Sequence, residues 1–188
     1  MKKKFLFALL GGAILFVWQF LSFAFPNLHK EAGRYTPLQD TLLAVIARTG
    51  LEPGHYILGR PDPALESDRQ KMEAEFKAKY EGKPWAVLHY QEKNTMEMGW
   101  KMVRGFIVDC FVALILFLVL EVLRPESLES RVGVAVAVGF MGFLFGPYTG
   151  YIWYNVPDVW AYMADGIIPW AFLGGLAHFL MRKKEANS

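Results

Sequence analysis

Four long apolar runs, residues 5–25, 105–123, 132–148 and 159–181, alternate with short polar connections and one sizeable polar stretch between the first two runs. Runs near the roughly twenty residues that carry a helix across a bilayer are too long for core strands. The pattern therefore predicts a membrane all-α four-helix bundle with a small extracytoplasmic α+β insert. Its expected divisions are a first transmembrane helix in 1–25, the insert in 26–101, and three further helices in 102–188.

The first run follows Lys2, Lys3 and Lys4 and closes at Pro26. Ser22 and Ala24 stand before Phe25 in a small-x-small pattern compatible with signal-peptide cleavage. The run nevertheless exceeds the roughly 7–15 residues of a signal core and carries Trp18 and Gln19, which favours an uncleaved anchor. The second run stops at Arg124 and Pro125, since proline has no N–H with which to continue a helix. Gly139, Gly142 and Gly146 form a small-residue stripe on the third, with Gly142 and Gly146 as a GxxxG pair. Gly11 with Gly12, and Gly174 with Gly175, offer similar points of close helix approach.

Within the polar stretch, Thr36-Pro37-Leu38-Gln39 reads as a helix start with threonine as cap and glutamine completing a capping box. Leu38, Leu42, Val45 and Ile46 follow at helical spacing until Gly50. His55-Tyr56-Ile57-Leu58 and residues 85–90 read as short strands, and 62–81 as a second helix. Helix, strand, helix, strand predicts a unit in which the strands pair and the helices cover one face. So few elements bury little, so the unit is expected to rest on the bundle or on a second copy of itself.

Charge orients the chain. Lys2 to Lys4, Arg124 with Arg131, and Arg182 to Lys184 share one side if the chain crosses four times, and excess Lys and Arg mark that side as cytoplasmic. Both termini are then inside and 26–101 outside. Tyr148, Tyr151, Trp153, Tyr154, Trp160 and Tyr162 form an aromatic belt at the outer interface. No block of like charge points to nucleic acid. Cys110 is the only cysteine, which excludes an intrachain disulfide, a dithiol relay and a thiolate metal cluster.

Ionisable residues inside apolar runs are costly and so are candidates for function. Arg104, Asp109, Asp158 and Asp165 all fall toward the outer ends of their runs and form a candidate outer-leaflet polar cluster. Two readings compete. A carboxylate pair there exchanges protons or binds a cation, or Arg104 forms a salt bridge to Asp109 or Asp165 that locks helices together; the second is favoured. Glu121 reads as interfacial, and His178 as a snorkelling interfacial histidine in preference to a haem ligand, because no second span supplies a histidine. His29 beside Glu31, and His55 with His89, are the only metal-ligand pairings, without an HxH, HxxxH or HExxH spacing. No metal or cofactor is therefore expected. With no GxSxG elbow, P-loop or GxGxxG turn, no catalytic residue is assigned and a hydrolase or kinase has no residue to rest on.

The segments Trp18-Gln19-Phe20-Leu21-Ser22-Phe23 and Phe25-Pro26-Asn27-Leu28-His29, then Pro53-Gly54-His55-Tyr56-Ile57, then Tyr151-Ile152-Trp153-Tyr154-Asn155-Val156-Pro157 carry a resemblance. Together they resemble a family of uncharacterised bacterial four-span inner-membrane proteins with a periplasmic loop domain between spans 1 and 2. The resemblance implies a multi-pass protein of the bacterial inner membrane, N-in/C-in. The function expected is a non-enzymatic binding or assembly component, whose insert engages a membrane-protein partner, lipid or a second copy. The alternatives are a small ion- or proton-coupled transport component using Asp109 and Asp165, and an envelope lipid-modifying enzyme.

Overall fold

A computed structural model describes residues 2–65, 67–95 and 97–181. Arg182, Lys183 and Lys184, which entered the orientation argument, lie outside them. In chain order the elements are α1 (Lys2–Ala24), α2 (Gln39–Arg48), β1 (Gly54–Leu58), a 3-10 turn (Pro63–Leu65), α3 (Arg69–Lys79), β2 (Ala86–Tyr90), α4 (Met98–Leu123), α5 (Leu128–Phe145), α6 (Pro147–Tyr154), α7 (Val159–Asp165) and α8 (Ile168–Met181). They fall into two compact units, Met1–Arg34 with Glu97–Ser188, and Tyr35–Met96.

The larger unit is helical. Among the described residues, four helices are long and apolar enough to cross a membrane: Lys2–Ala24, Met98–Leu123, Leu128–Tyr154 and Val159–Met181. The third is α5 continued by α6, and the fourth is α7 continued by α8. Their outward faces carry Phe5, Phe20, Phe111, Val122, Phe145 and Phe179, all exposed, an apolar surface suited to hydrocarbon and not to water. The core joins Phe7 and Leu15 of α1 to Ala113, Leu116, Phe117 and Leu120 of α4, and these to Ala135 of α5 and to Leu173 and Ala177 of α8. Phe7 and Phe117 meet with ring centroids 5.3 Å apart at 56°.

Two prolines shape the bundle by withholding an N–H. Pro26 would be the donor to the Ser22 carbonyl if α1 continued; Leu28 N–H takes that carbonyl instead, at 2.7 Å, and the chain turns back on itself. Pro169 likewise cannot donate to the Asp165 carbonyl, and the fourth span breaks there into α7 and α8. Close approach depends on glycines other than the GxxxG pair. A Cβ on Gly12 would lie 2.5 Å from Cys110 Sγ and 2.8 Å from its backbone nitrogen, so α1 crosses α4 at a point that admits no side chain. Gly139 meets Trp170 and the Gly166 carbonyl in the same way, whereas Gly142 would meet nothing within 4 Å.

At the other end of the bundle Lys4 pairs with Glu121 at 2.7 Å, so Glu121 joins α1 to α4. Arg131 donates to the Pro125 carbonyl at 2.8 Å and to the His178 carbonyl at 3.2 Å, with His178 Nδ1 3.4 Å from the same guanidinium. His178 is thus held against α5.

In the smaller unit, β1 and β2 pair antiparallel with His55 opposite His89 and Tyr56 opposite Leu88. Helix α2 starts at Gln39, later than the capping box requires: Thr36 Oγ1 accepts from Leu38 N–H at 3.3 Å, which forms a local turn and leaves no capping role for Gln39. The second helix is also shorter than the span 62–81. Pro63–Leu65 forms a separate 3-10 turn, and Asp68 then caps α3 by accepting Lys71 N–H at 3.1 Å. No described residue of this unit is buried. Leu38, Leu42, Leu43 and Val45 remain exposed, so the unit closes no core of its own.

The Asp68 cap has a pH consequence. The Lys71 side chain, followed by the Lys71 backbone N–H, holds the Asp68 carboxyl below its ordinary value. A depressed carboxyl stabilises the fold above its unfolded pKa, and that contribution disappears as pH falls through the folded value. Protection of the Gln70 and Lys71 amides, measured against their intrinsic exchange at the same pH, is therefore expected to fall below the ordinary carboxylate range, and Asp68→Ala to lack that protection at every pH. Identical exchange in Asp68→Ala and the parent at neutral pH would refute the cap.

Candidate functional site

The turn set by Pro26 carries His29 back onto the last turn of α1. Its ring stacks on Phe23 with centroids 3.9 Å apart and planes 7° from parallel, and Tyr162 of α7 closes the other side at 4.5 Å. His29 Nε2 lies 2.8 Å from Asp165 Oδ2 and 3.1 Å from Ser22 Oγ. Asp165 Oδ1 accepts from Ser22 Oγ at 2.7 Å and from Trp18 Nε1 at 2.9 Å. One carboxylate at the break of the fourth span thus takes three donors, all from residues 18–29. Since Nε2 faces a carboxylate oxygen it carries the ring hydrogen, and Nδ1 is buried with no partner among the described residues.

Serine, histidine and aspartate together invite a nucleophile reading, which the geometry counts against. A serine nucleophile needs one ring nitrogen as its base and the other nitrogen held by the acid. Here Nε2 serves both Ser22 and Asp165, Ser22 gives its own proton to the acid, and both Ser22 and His29 are buried. The arrangement is a clasp between the end of α1 and α7.

Asp109 occupies the facing side. It is 4 % exposed; Oδ1 accepts from Gln19 Nε2 at 3.0 Å, while Oδ2 is buried and has no partner among the described residues. Between the carboxylates lies a cavity of about 380 Å3 walled by Trp18, Phe23, Asp109, Tyr162, Asp165 and Trp170, with Val108 on α4 also contributing.

Of the four residues singled out from the sequence, Asp109 and Asp165 share this cavity. Asp158 is not among the residues that line it; its Oδ2 accepts Ala32 N–H at 2.6 Å and fastens the segment after His29 to the start of α7. Arg104 is not among them: it is exposed, and no described carboxylate lies within salt-bridge distance of it. The reason is helical phase. Five residues separate Arg104 from Asp109, which places them about 140° apart around α4, beyond the i to i+4 neighbourhood. The locking role given to an Arg104 salt bridge is taken by His29, Ser22 and Trp18 on Asp165, and by Gln19 on Asp109.

His29 does not join Glu31 in a metal site; Glu31 pairs with Arg34. His55 Nδ1 and His89 Nε2 approach to 3.1 Å across the strand pair, and among the described residues no third histidine, cysteine or acid completes a metal-binding group there or elsewhere. What the sequence held for His29 was Pro26 three residues earlier and Ser22 seven earlier, a helix stop followed by room to fold back. Comparison with protein-family models, with curated proteins and with solved structures finds no match to this chain.

Proposed function

We propose that the protein is a non-enzymatic binding or assembly component of the bacterial inner membrane. In this reading the four span-length helices cross the bilayer with both termini in the cytoplasm, and residues 26–101 lie on the extracytoplasmic side and engage a partner. The observation that carries it is the smaller unit's lack of any buried described residue while Leu38, Leu42, Leu43 and Val45 of α2 stay exposed. An apolar stripe of that kind, outside the spans, is the usual mark of a protein or lipid contact. Retention of α1 belongs to the same reading, and is supported by the burial of Phe7, Gly11, Gly12, Leu15 and Ser22 within the bundle.

The alternative, proton or cation movement by Asp109 and Asp165 together, has less support. Three donors occupy Asp165, which leaves Asp109 as the one carboxylate with a free oxygen. An envelope lipid-modifying enzyme would need a base and a nucleophile with separate partners, and the clasp gives one nitrogen to both tasks.

The test is site-specific photo-crosslinking in native membranes from positions 38, 42 and 45, with adducts identified by mass spectrometry. A defined protein or lipid adduct is expected from these positions, and Leu42→Asp is expected to reduce its yield about tenfold, since burying a leucine contributes ~1.5–3 kcal/mol. Absence of any adduct from all three positions would end this reading.

A further inference from the structure

The cavity between α1, α4 and α7 is lined by a residue with an unmet acceptor. Asp109 is almost wholly buried, its Oδ1 is used by Gln19, and its Oδ2 is buried with no donor among the described residues. A buried carboxylate oxygen left without a donor is costly, so a group that supplies an N–H there gains the whole of that deficit. Each oxygen of Asp165 already has a donor, Trp18 and Ser22 on Oδ1 and His29 on Oδ2, whereas Asp109 Oδ2 has none among the described residues.

Volume and lining narrow the ligand. At about 380 Å3 the space is more than ten times the roughly 30 Å3 share of one water, and it lies in the range of small-molecule sites. A bare metal ion would leave it mostly empty, and no third ligand is at hand for one. The other walls include the aromatic side chains of Phe23, Tyr162, Trp18 and Trp170, which suit an apolar body and attract a cation.

We propose that this cavity binds an amphiphile bearing a primary ammonium group, whose N–H donates to Asp109 Oδ2 while its apolar part lies against the aromatic walls. The site is independent of whatever α2 contacts, so it stands or falls apart from the assembly reading. Two sources share that chemistry, the headgroup of an aminophospholipid and a free alkylamine.

Purified full-length protein in a non-ionic maltoside would be titrated with octylammonium, octyltrimethylammonium and 1-octanol, read by the change in tryptophan emission, to which Trp18 and Trp170 in the cavity wall contribute. Octylammonium is expected to bind saturably and at least about tenfold tighter than the other two, which lack the charged N–H donor. Asp109→Asn and Val108→Phe, the second filling the cavity from α4, are each expected to weaken it about tenfold or more. In a parallel arm the protein would be reconstituted in vesicles of equal phosphatidylethanolamine and phosphatidylglycerol, extracted, and examined by native mass spectrometry. Retained phosphatidylethanolamine that is lost in Asp109→Asn identifies the headgroup as the source; binding of octylammonium alone identifies a free amine. Equal binding of the three probes, or binding unchanged in Asp109→Asn, overturns the proposal, as does failure of both arms. If Asp109→Asn no longer melts cooperatively, Val108→Phe decides.

Discussion

Asp165→Ala is expected to be the most destabilising single change in the bundle, costing about 3–5 kcal/mol, because it leaves buried donors without their acceptor. Trp18 Nε1, Ser22 Oγ and His29 Nε2 all converge on this carboxylate, and His29 and Ser22 are 4 % and 2 % exposed. Asp165→Asn separates charge from hydrogen bonding. Its amide oxygen can accept from Trp18 and Ser22, but its amide nitrogen then needs an acceptor at His29 Nε2. The imidazole must move its hydrogen to Nδ1, a buried atom with no partner. The asparagine variant should therefore fall between the alanine variant and the parent, at about 1–3 kcal/mol. Thermal unfolding in detergent, followed by tryptophan emission, gives the order. Equal stability of all three forms would show that the clasp does not hold the bundle.

Gly12→Ala is the second large effect, and its contrast with Gly142→Ala is the informative part. The added methyl at residue 12 would overlap Cys110 Sγ, N and Cα at 2.5, 2.8 and 2.9 Å. Backbone atoms cannot swing aside, so α1 and α4 must separate, and overpacking of that kind costs about 1–3 kcal/mol. At residue 142 the methyl meets nothing, and the helix gains roughly the 1 kcal/mol by which alanine is favoured over glycine. One variant should melt earlier than the parent and the other no earlier. A reversed order would mean that the α1 to α4 contact is misplaced.

That contrast shows where sequence reading stops. Apolar run length located the span-length helices, with the fourth run matching Val159–Met181, because length and hydropathy are properties of a segment alone. The strands over 55–58 and 85–90 were legible for the same reason, from β-branched and aromatic residues between glycine and proline turns. Gly142 and Gly146 fit the GxxxG spacing, but spacing does not say where along a stripe a neighbour comes close, and Gly139 is the position in contact. Asp109 and Asp165 could be flagged because a charge in an apolar run is conspicuous. The contact of His29 with Asp165 could not, since 136 positions separate them and they meet only through the reversal at Pro26. Arg104 complements Asp109 in charge but not in phase, since the angle of about 140° between them around a helix follows from numbering alone.

The clasp also imposes an order on synthesis. Its donors are made within the first 29 residues and its acceptor is residue 165, so a chain that ends before α7 holds Trp18, Ser22 and His29 without the carboxylate on which they converge. Arrival of α7 supplies that acceptor to all three at once, which makes the clasp one of the last contacts the bundle can form.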